Sequence, residues 1–306
     1  MIEGKKIWMD GKLIDWKDAK VHVLTHTLHY GLGVFEGIRV YKLDNGKSAI
    51  LKNYEHTQRL LNSAKIMQLK VDYSIEELMK ANIDTVKANG LKSGYIRPVI
   101  FVGEGNMGLF PGDNPIQVVI AAWEWGAYLG EDGINNGIRV KTSSYSRYPV
   151  NVSMTKAKVN GSYVNSILAK REAVTLGYDE ALMLDPDGYV SEASGENIFV
   201  IKDNVIYTTP PTSILPGITR AAVMLLAEEL GYKVKEERFS RDFIYIADEA
   251  FFTGTAAEIT PIRDLDERVI GAGKPGPVTL KIKDTFFNIL KGNNEKYLNW
   301  LDIIEE

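Results

Sequence analysis

The sequence predicts an α+β fold in two domains. Three observations carry that prediction. Strands and helices alternate through the first half without the rhythm of a parallel sheet. A glycine-rich stretch interrupts the chain at 126–137, and the second half opens into a meander of short strands closed by turn dipeptides. The length, 306 residues, suits one large domain or two ordinary ones. Its 45% hydrophobic and 25% charged residues match a compact globular protein rather than a disordered or fibrous one. The expected division is a smaller α/β domain over 1–126, a linker over 127–137 and a larger domain over 138–306.

In chain order, residues 5–16 pair as two short strands around Asp10-Gly11, a common hairpin dipeptide. From His22 to Tyr41 the texture changes to low charge, with three histidines, two tyrosines and three glycines. It ends in Phe35-Glu36-Gly37-Ile38-Arg39-Val40-Tyr41, which alternates like a strand. Helical spacing covers 54–67, and Ser74 with Glu77 three residues later is a capping box for a second helix that Gly90 stops. Two β-rich runs, 95–102 and 116–123, flank a Gly/Pro/Asn loop at 103–115. A helix over 161–176 spaces Val164, Ile167, Leu168 and Ala169 by three and four and ends at Gly177. Strands follow at 181–184, 189–190, 198–201 and 205–208, separated by Pro186-Asp187-Gly188 and Asp203-Asn204. The helix over 218–230, stopped by Gly231, is apolar nearly all round and is expected to be buried against the sheet.

A net charge of −4 with scattered Lys and Arg leaves no basic footprint for nucleic acid. The absence of cysteine removes disulfides, thiolate catalysis and cysteine-ligated metals together, and no metal is expected. The first eight residues lack a continuous apolar core, and the apolar run at 116–123 stops at Glu124, far short of a membrane span. A cytoplasmic protein without membrane or nucleic-acid partners is the expectation.

Four separated features ask together for an anionic, aromatic cofactor. Leu215-Pro216-Gly217-Ile218-Thr219-Arg220 opens a helix whose free N–H groups and positive dipole end suit a phosphate. Thr253-Gly254-Thr255-Ala256-Ala257 is a turn small enough to let backbone N–H groups approach a phosphate or carboxylate. Lys158, just ahead of a helix, is a candidate amine for a Schiff base, because a desolvated lysine beside a helix dipole loses its charge more readily. Lys156 stands two residues away, and sequence physics does not choose between them. Ser191-Glu192-Ala193-Ser194-Gly195-Glu196-Asn197 brings two carboxylates to a loop between strands, and pyridine chemistry needs an acid facing the ring nitrogen. Each feature alone has an ordinary reading: a capped helix, a packing turn, a solvated lysine, an acidic loop.

The run from Glu192 through Asn197-Ile198-Phe199 and Thr208-Thr209 to Leu215-Pro216-Gly217-Ile218-Thr219-Arg220 resembles the signature of the fold type IV, or class IV, pyridoxal phosphate aminotransferases. The match extends through His29-Tyr30-Gly31, Phe35-Glu36-Gly37-Ile38-Arg39, Glu55-His56, Arg59-Leu60, Tyr95-Ile96-Arg97-Pro98, Trp125-Gly126-Ala127-Tyr128 and Gly254-Thr255-Ala256-Ala257-Glu258. Within that class the chain resembles the branched-chain amino acid aminotransferases. The resemblance implies pyridoxal 5′-phosphate as cofactor and a two-domain fold with the active site at the domain interface. It selects Lys158 as the Schiff-base lysine, carried by the larger domain, with Glu192 as partner of the pyridine nitrogen and Tyr163 as donor to the cofactor's 3-oxygen. Arg59, Ile218, Thr219 and Thr255 would hold the phosphate.

The implied reaction is a ping-pong exchange between leucine, isoleucine or valine and 2-oxoglutarate, giving branched 2-oxo acids and glutamate. One pocket must then accept an aliphatic side chain and a carboxylate in turn. The resemblance implies an apolar wall of Tyr30, Phe35, Trp125 and Tyr128, with Arg97 and tyrosine hydroxyls receiving the carboxylate and Gly37 and Tyr95 also binding substrate. Tyr95 and Arg97 share a strand face, as a pocket wall requires. Backbone N–H groups of Thr255 and Ala256 would take the α-carboxylate, and Met107 sits in a loop that implies at least a homodimer, or a homohexamer. The rival expectations are a D-amino acid or (R)-amine transaminase, an aminodeoxychorismate lyase, or a non-catalytic ligand-binding module.

Overall fold

Short alternating runs with one apolar face must pair and then cover that face, and the chain does so twice. The computed structural model describes residues 3–126 and 129–305. It divides into two compact units, one of Met1–Gly126, Ala157–Ser162 and Asn288–Glu306, the other of Ala127–Lys156 and Tyr163–Phe287.

The first unit is built on an eight-stranded sheet whose described pairings are all antiparallel. In space the strands run Leu301–Ile304, Ser48–Leu51, Ile38–Lys42, Gly94–Val102, Ile116–Trp123, Lys6–Met9, Lys12–Asp15, with Gly33–Phe35 also paired to Gly94–Val102. The helices Asn53–Ile66 and Ile75–Asn89 bury Leu60, Ala64, Leu78, Ala81 and Val86 against Ile38, Ile50, Ile96 and Ile100. The capping box forms as expected, with Ser74 accepting from the Glu77 amide at 3.2 Å and Glu77 accepting from the Ser74 amide at 2.7 Å. Gly90 ends that helix at φ +68°, where a side chain would be strained.

Three findings revise the sequence reading of this unit. The expected strand over 35–41 is broken into Gly33–Phe35 and Ile38–Lys42, because Glu36 turns a buried carboxylate toward the Asn53–Ile66 helix. The domain expected over 138–306 does not hold its C-terminal end, since Leu301–Ile304 pairs with Ser48–Leu51 in the first sheet. Lys158 belongs to the first unit as well. Its carbonyl accepts from the Phe35 amide at 3.0 Å, the Val34–Val159 bridge follows, and the Asn160 and Gly161 amides donate to Gly33 and Gly31 at 2.9 and 3.1 Å. Gly31 is required here: a Cβ would stand 2.8 Å from the Gly161 Cα.

The second unit carries a nine-stranded mixed sheet. Its order is Val190–Ala193, Glu180–Leu184, Ile138–Thr142, Glu258–Leu265, Glu249–Gly254, Asn197–Lys202, Val205–Thr208, Lys233–Glu236, with Arg268–Val269 paired to Glu258–Leu265. Three of its pairings are parallel, two of them across the crossover helices Tyr163–Thr175 and Ile218–Glu229. The expected linker at 127–137 instead contains the helix Gly130–Asn136, whose Ile134 carbonyl accepts from the Lys283 ammonium at 2.6 Å. Tyr163–Thr175 buries its small face, Ser166, Ala169 and Ala173, and exposes Val164, Ile167 and Leu168, so of the four spaced apolar residues only Ala169 is covered. Ile218–Glu229 buries Ala222, Val223, Leu226 and Ala227 but leaves Leu225 exposed, one stripe rather than the whole circumference. Among the described residues no helix is long and apolar enough to cross a membrane.

Candidate active site

In the first unit the strand turn at Glu36-Gly37 gathers the expected residues. Arg97 lies with its guanidinium carbon 4.8 Å from the Phe35 ring centroid and 5.3 Å from that of Tyr95, and its Nη2 is 3.5 Å from the Tyr95 hydroxyl. Its Nε is buried and meets no hydrogen-bond acceptor. Gly37 admits this arrangement, because a Cβ there would fall 1.7 Å from the Tyr95 hydroxyl oxygen. Tyr95 meets Trp125 edge-on at 4.5 Å, and Arg39, to which the sequence assigns no role, holds the Trp125 and Gly126 carbonyls at 3.0 and 2.9 Å. The Lys158 Nζ stands 4.9 Å from the Phe35 ring centroid, while its amide donates to the Ser63 hydroxyl at 3.1 Å.

Arg59 is one helical turn from Ser63 and is held by Glu36 through two bonds, Nε to Oε1 at 2.5 Å and Nη2 to Oε2 at 2.9 Å. His56 donates from Nδ1 to Glu36 Oε2 at 2.8 Å. Burial alone would raise the Glu36 pKa, but Arg59 and His56 outweigh it and hold the carboxyl well below its usual range. Burial lowers the His56 pKa despite Glu36, so the ring is neutral near pH 7. Tyr30 and Met107 make a second group, with the Tyr30 hydroxyl donating to the Met107 carbonyl at 2.8 Å. Tyr128, expected in the apolar wall, lies outside the described residues.

In the second unit Glu192 is buried with three donors around it: Arg147 at 2.7 Å, Asn197 Nδ2 at 3.2 Å and the Leu215 amide at 3.3 Å. Asn197 also donates to the Leu215 carbonyl at 3.1 Å, which ties the acidic loop to the segment that opens the next helix. Gly217 fits because a Cβ would lie 2.1 Å from Asn197 Oδ1. It is the N-cap of Ile218–Glu229 and, as a glycine, brings no capping side chain of its own. Thr219 is buried in its first turn. Tyr163 opens the Tyr163–Thr175 helix half-buried, and Thr255 and Ala256 are half-buried where Glu249–Gly254 ends. Lys156 points its Nζ to the Ile214 carbonyl at 3.4 Å; burial lowers its pKa, against the pull of Glu192.

Glu36, His56 and Arg147 escaped the sequence reading as site residues. His56 and Arg59, three apart on one helix face, were the visible signal for the first two; Arg147 lies outside any helix or strand and offered none.

The family described as amino-transferase class IV matches residues 33–265. The branched-chain-amino-acid aminotransferase of Pseudomonas aeruginosa is 54% identical over 299 residues, 98% of this chain and 97% of that one. The crystal structure of the Escherichia coli branched-chain amino acid aminotransferase superposes with a TM-score of 0.97 at 47% identity, covering 99% of this chain and all of that one. The branched-chain amino acid aminotransferase from Thermobaculum terrenum, solved in its PLP-form, gives a TM-score of 0.93 at 33% identity, with 99% of each chain covered.

Proposed function

This chain belongs to the class IV aminotransferases, and from that premise we infer that it is a branched-chain amino acid aminotransferase. It uses pyridoxal 5′-phosphate to exchange amino groups between L-leucine, L-isoleucine or L-valine and 2-oxoglutarate. The observation that carries the substrate side is Arg97, whose Nε is buried without an acceptor against the aromatic faces of Phe35 and Tyr95. A buried guanidinium N–H left unpaired is unfavourable, and a substrate carboxylate would pair it.

The bound cofactor supplies a carbonyl that condenses with amines and a ring that draws electrons from the α-carbon. In our reading Lys158 tethers it, and the Nζ, once freed, takes the α-proton of the amino acid. Arg59, the helix start at Ile218 and Thr219, and Thr255 hold the phosphate; the uncapped Gly217 terminus is the structural support for this. Tyr163 donates to the 3-oxygen and Glu192 faces the ring nitrogen. The amides of Thr255 and Ala256 receive the α-carboxylate. Tyr30, Phe35, Gly37, Tyr95, Met107 and Trp125 surround the side chain, the aromatic rings suiting aliphatic carbon in one half-reaction and Arg97 suiting a carboxylate in the other.

We assign a homodimer or homohexamer, supported by Leu109 and Phe110, which are 87% and 83% exposed on the Met107 loop and form an apolar patch that water disfavours. The cysteine-free sequence agrees with work in a reducing cytoplasm.

A panel of donors with 2-oxoglutarate tests the assignment. L-Leucine, L-isoleucine and L-valine are expected to turn over at least about 100-fold faster than D-alanine or (R)-1-phenylethylamine. Preference for either of the latter would overturn it. Arg97→Leu should raise KM for 2-oxoglutarate by roughly 100-fold, since a charge-assisted pair removed from a buried site costs about 2–3 kcal/mol. The leucine half-reaction, followed in single turnover, should change by less than about threefold. Equal losses in both halves would show that Arg97 does not divide the two substrates.

A further inference from the structure

Glu36 stands where the fold has least reason to hold a charge. It interrupts a sheet strand, is 0% exposed, and faces a helix rather than water. Its carboxylate takes Arg59 through two parallel bonds at 2.5 and 2.9 Å, and His56 at 2.8 Å. Its own backbone amide is spent on the Pro98 carbonyl at 2.9 Å, which fixes the turn from below. A buried ion pair returns little net stability, because desolvating both charges roughly cancels their attraction. Stability alone therefore does not account for the arrangement. Geometry does: a guanidinium gripped on two of its nitrogens by a planar acceptor cannot rotate.

The same helix turn carries the second constraint. The Ser63 hydroxyl donates to the Arg59 carbonyl at 2.8 Å and accepts from the Lys158 amide at 3.1 Å. Arg59 and Lys158 are thus fixed to one frame inside the first unit.

We propose that Glu36 is a positioning residue for cofactor phosphate: with His56 as its own brace, it locks the Arg59 guanidinium in the orientation that receives the phosphate oxygens. This rests on the reading that Arg59 holds the phosphate. Two roles for Glu36 predict opposite signs. If it merely neutralised Arg59, removing its charge would leave a stronger cation and tighten phosphate binding. If it orients Arg59, the same change loosens phosphate binding, because an amide offers Arg59 one acceptor where a carboxylate offers two.

The full chain, stripped of cofactor, is titrated with pyridoxal 5′-phosphate and separately with pyridoxal, which lacks the phosphate. Glu36→Gln is expected to weaken pyridoxal 5′-phosphate at least tenfold and pyridoxal less than twofold. Arg59→Ala is the benchmark and should show the same selectivity, larger in size. If Glu36→Gln binds pyridoxal 5′-phosphate as tightly as wild type or tighter, or weakens both ligands alike, Glu36 does not position the phosphate site. If Arg59→Ala weakens both alike, the phosphate role of Arg59 is what fails. Should Glu36→Gln not fold, His56→Gln decides, with selective weakening of at least threefold expected and no selectivity overturning the proposal.

Discussion

Replacing Lys158 with alanine is expected to lower multiple-turnover transamination of L-leucine with 2-oxoglutarate by at least about 10⁴-fold, while Lys156→Ala stays within about tenfold of wild type. The size follows from the two tasks assigned to one amine, tether and proton carrier, neither of which alanine performs. The choice between the two lysines follows from their settings. Lys156 places its Nζ on the Ile214 carbonyl, a bond that anchors a side chain to backbone. Lys158 is fixed through its backbone to Phe35 and Ser63, so its main chain is rigid while its amine is presented over the Phe35 ring. That combination suits an amine that must bond and release without moving its anchor. Borohydride reduction of the holoenzyme followed by peptide mapping gives an independent readout. The cofactor label should appear on the peptide containing Lys158 and persist there in Lys156→Ala. A label on Lys156, or wild-type turnover by Lys158→Ala, would sink the assignment.

The contrast between these lysines also shows what a sequence can and cannot disclose. Helix ends were legible because caps are local hydrogen-bond chemistry: Ser74 and Glu77 answer each other three residues apart, and Gly90 supplies the left-handed residue that stops the turn. The helix start at Gly217 was legible for the same reason. Lys156 and Lys158 were not separable, since what distinguishes them is a pairing of 158–161 with 31–35, about 125 residues earlier in the chain. The return of Leu301–Ile304 to the first sheet is long-range in the same sense. Glu36 lies between these cases. The alternating run shows a carboxylate among apolar neighbours, but the break between Gly33–Phe35 and Ile38–Lys42 that turns it inward is set by packing. His56 and Arg59 on one helix face were the available partners, yet their identity rests on how helix and strand pack. Likewise, Val164, Ile167 and Leu168 have the spacing of a buried stripe, and only packing reveals that the alanine face is the one covered.

Glu192→Gln is the second substitution from which a large loss is expected, roughly 10³-fold in kcat. Donors to the carboxylate come from separate parts of the second unit, Arg147, Asn197 and the Leu215 amide among them. Its position is therefore set by the fold rather than by any ligand. A carboxylate opposite a pyridine nitrogen favours the protonated ring, which is the better electron sink, whereas a glutamine offers no charge to do so. Glutamine keeps the volume, so shape is not the variable. It does leave Arg147 facing an amide in a mostly buried setting, and breaking such a pair lowers stability by about 3–5 kcal/mol at most. Chemistry and folding must be separated, and a cofactor analogue without the ring nitrogen separates them. With pyridoxal 5′-phosphate, wild type should exceed Glu192→Gln by the full factor; with the carbocyclic analogue, both should be slow and equal within about threefold, because the group on which Glu192 acts is gone. A factor that survives with the analogue would mean that Glu192 works through the fold, with Arg147 as the first place to look. A variant as fast as wild type with the natural cofactor would remove Glu192 from the chemistry altogether and leave it as the clamp that joins its loop to the Leu215 segment.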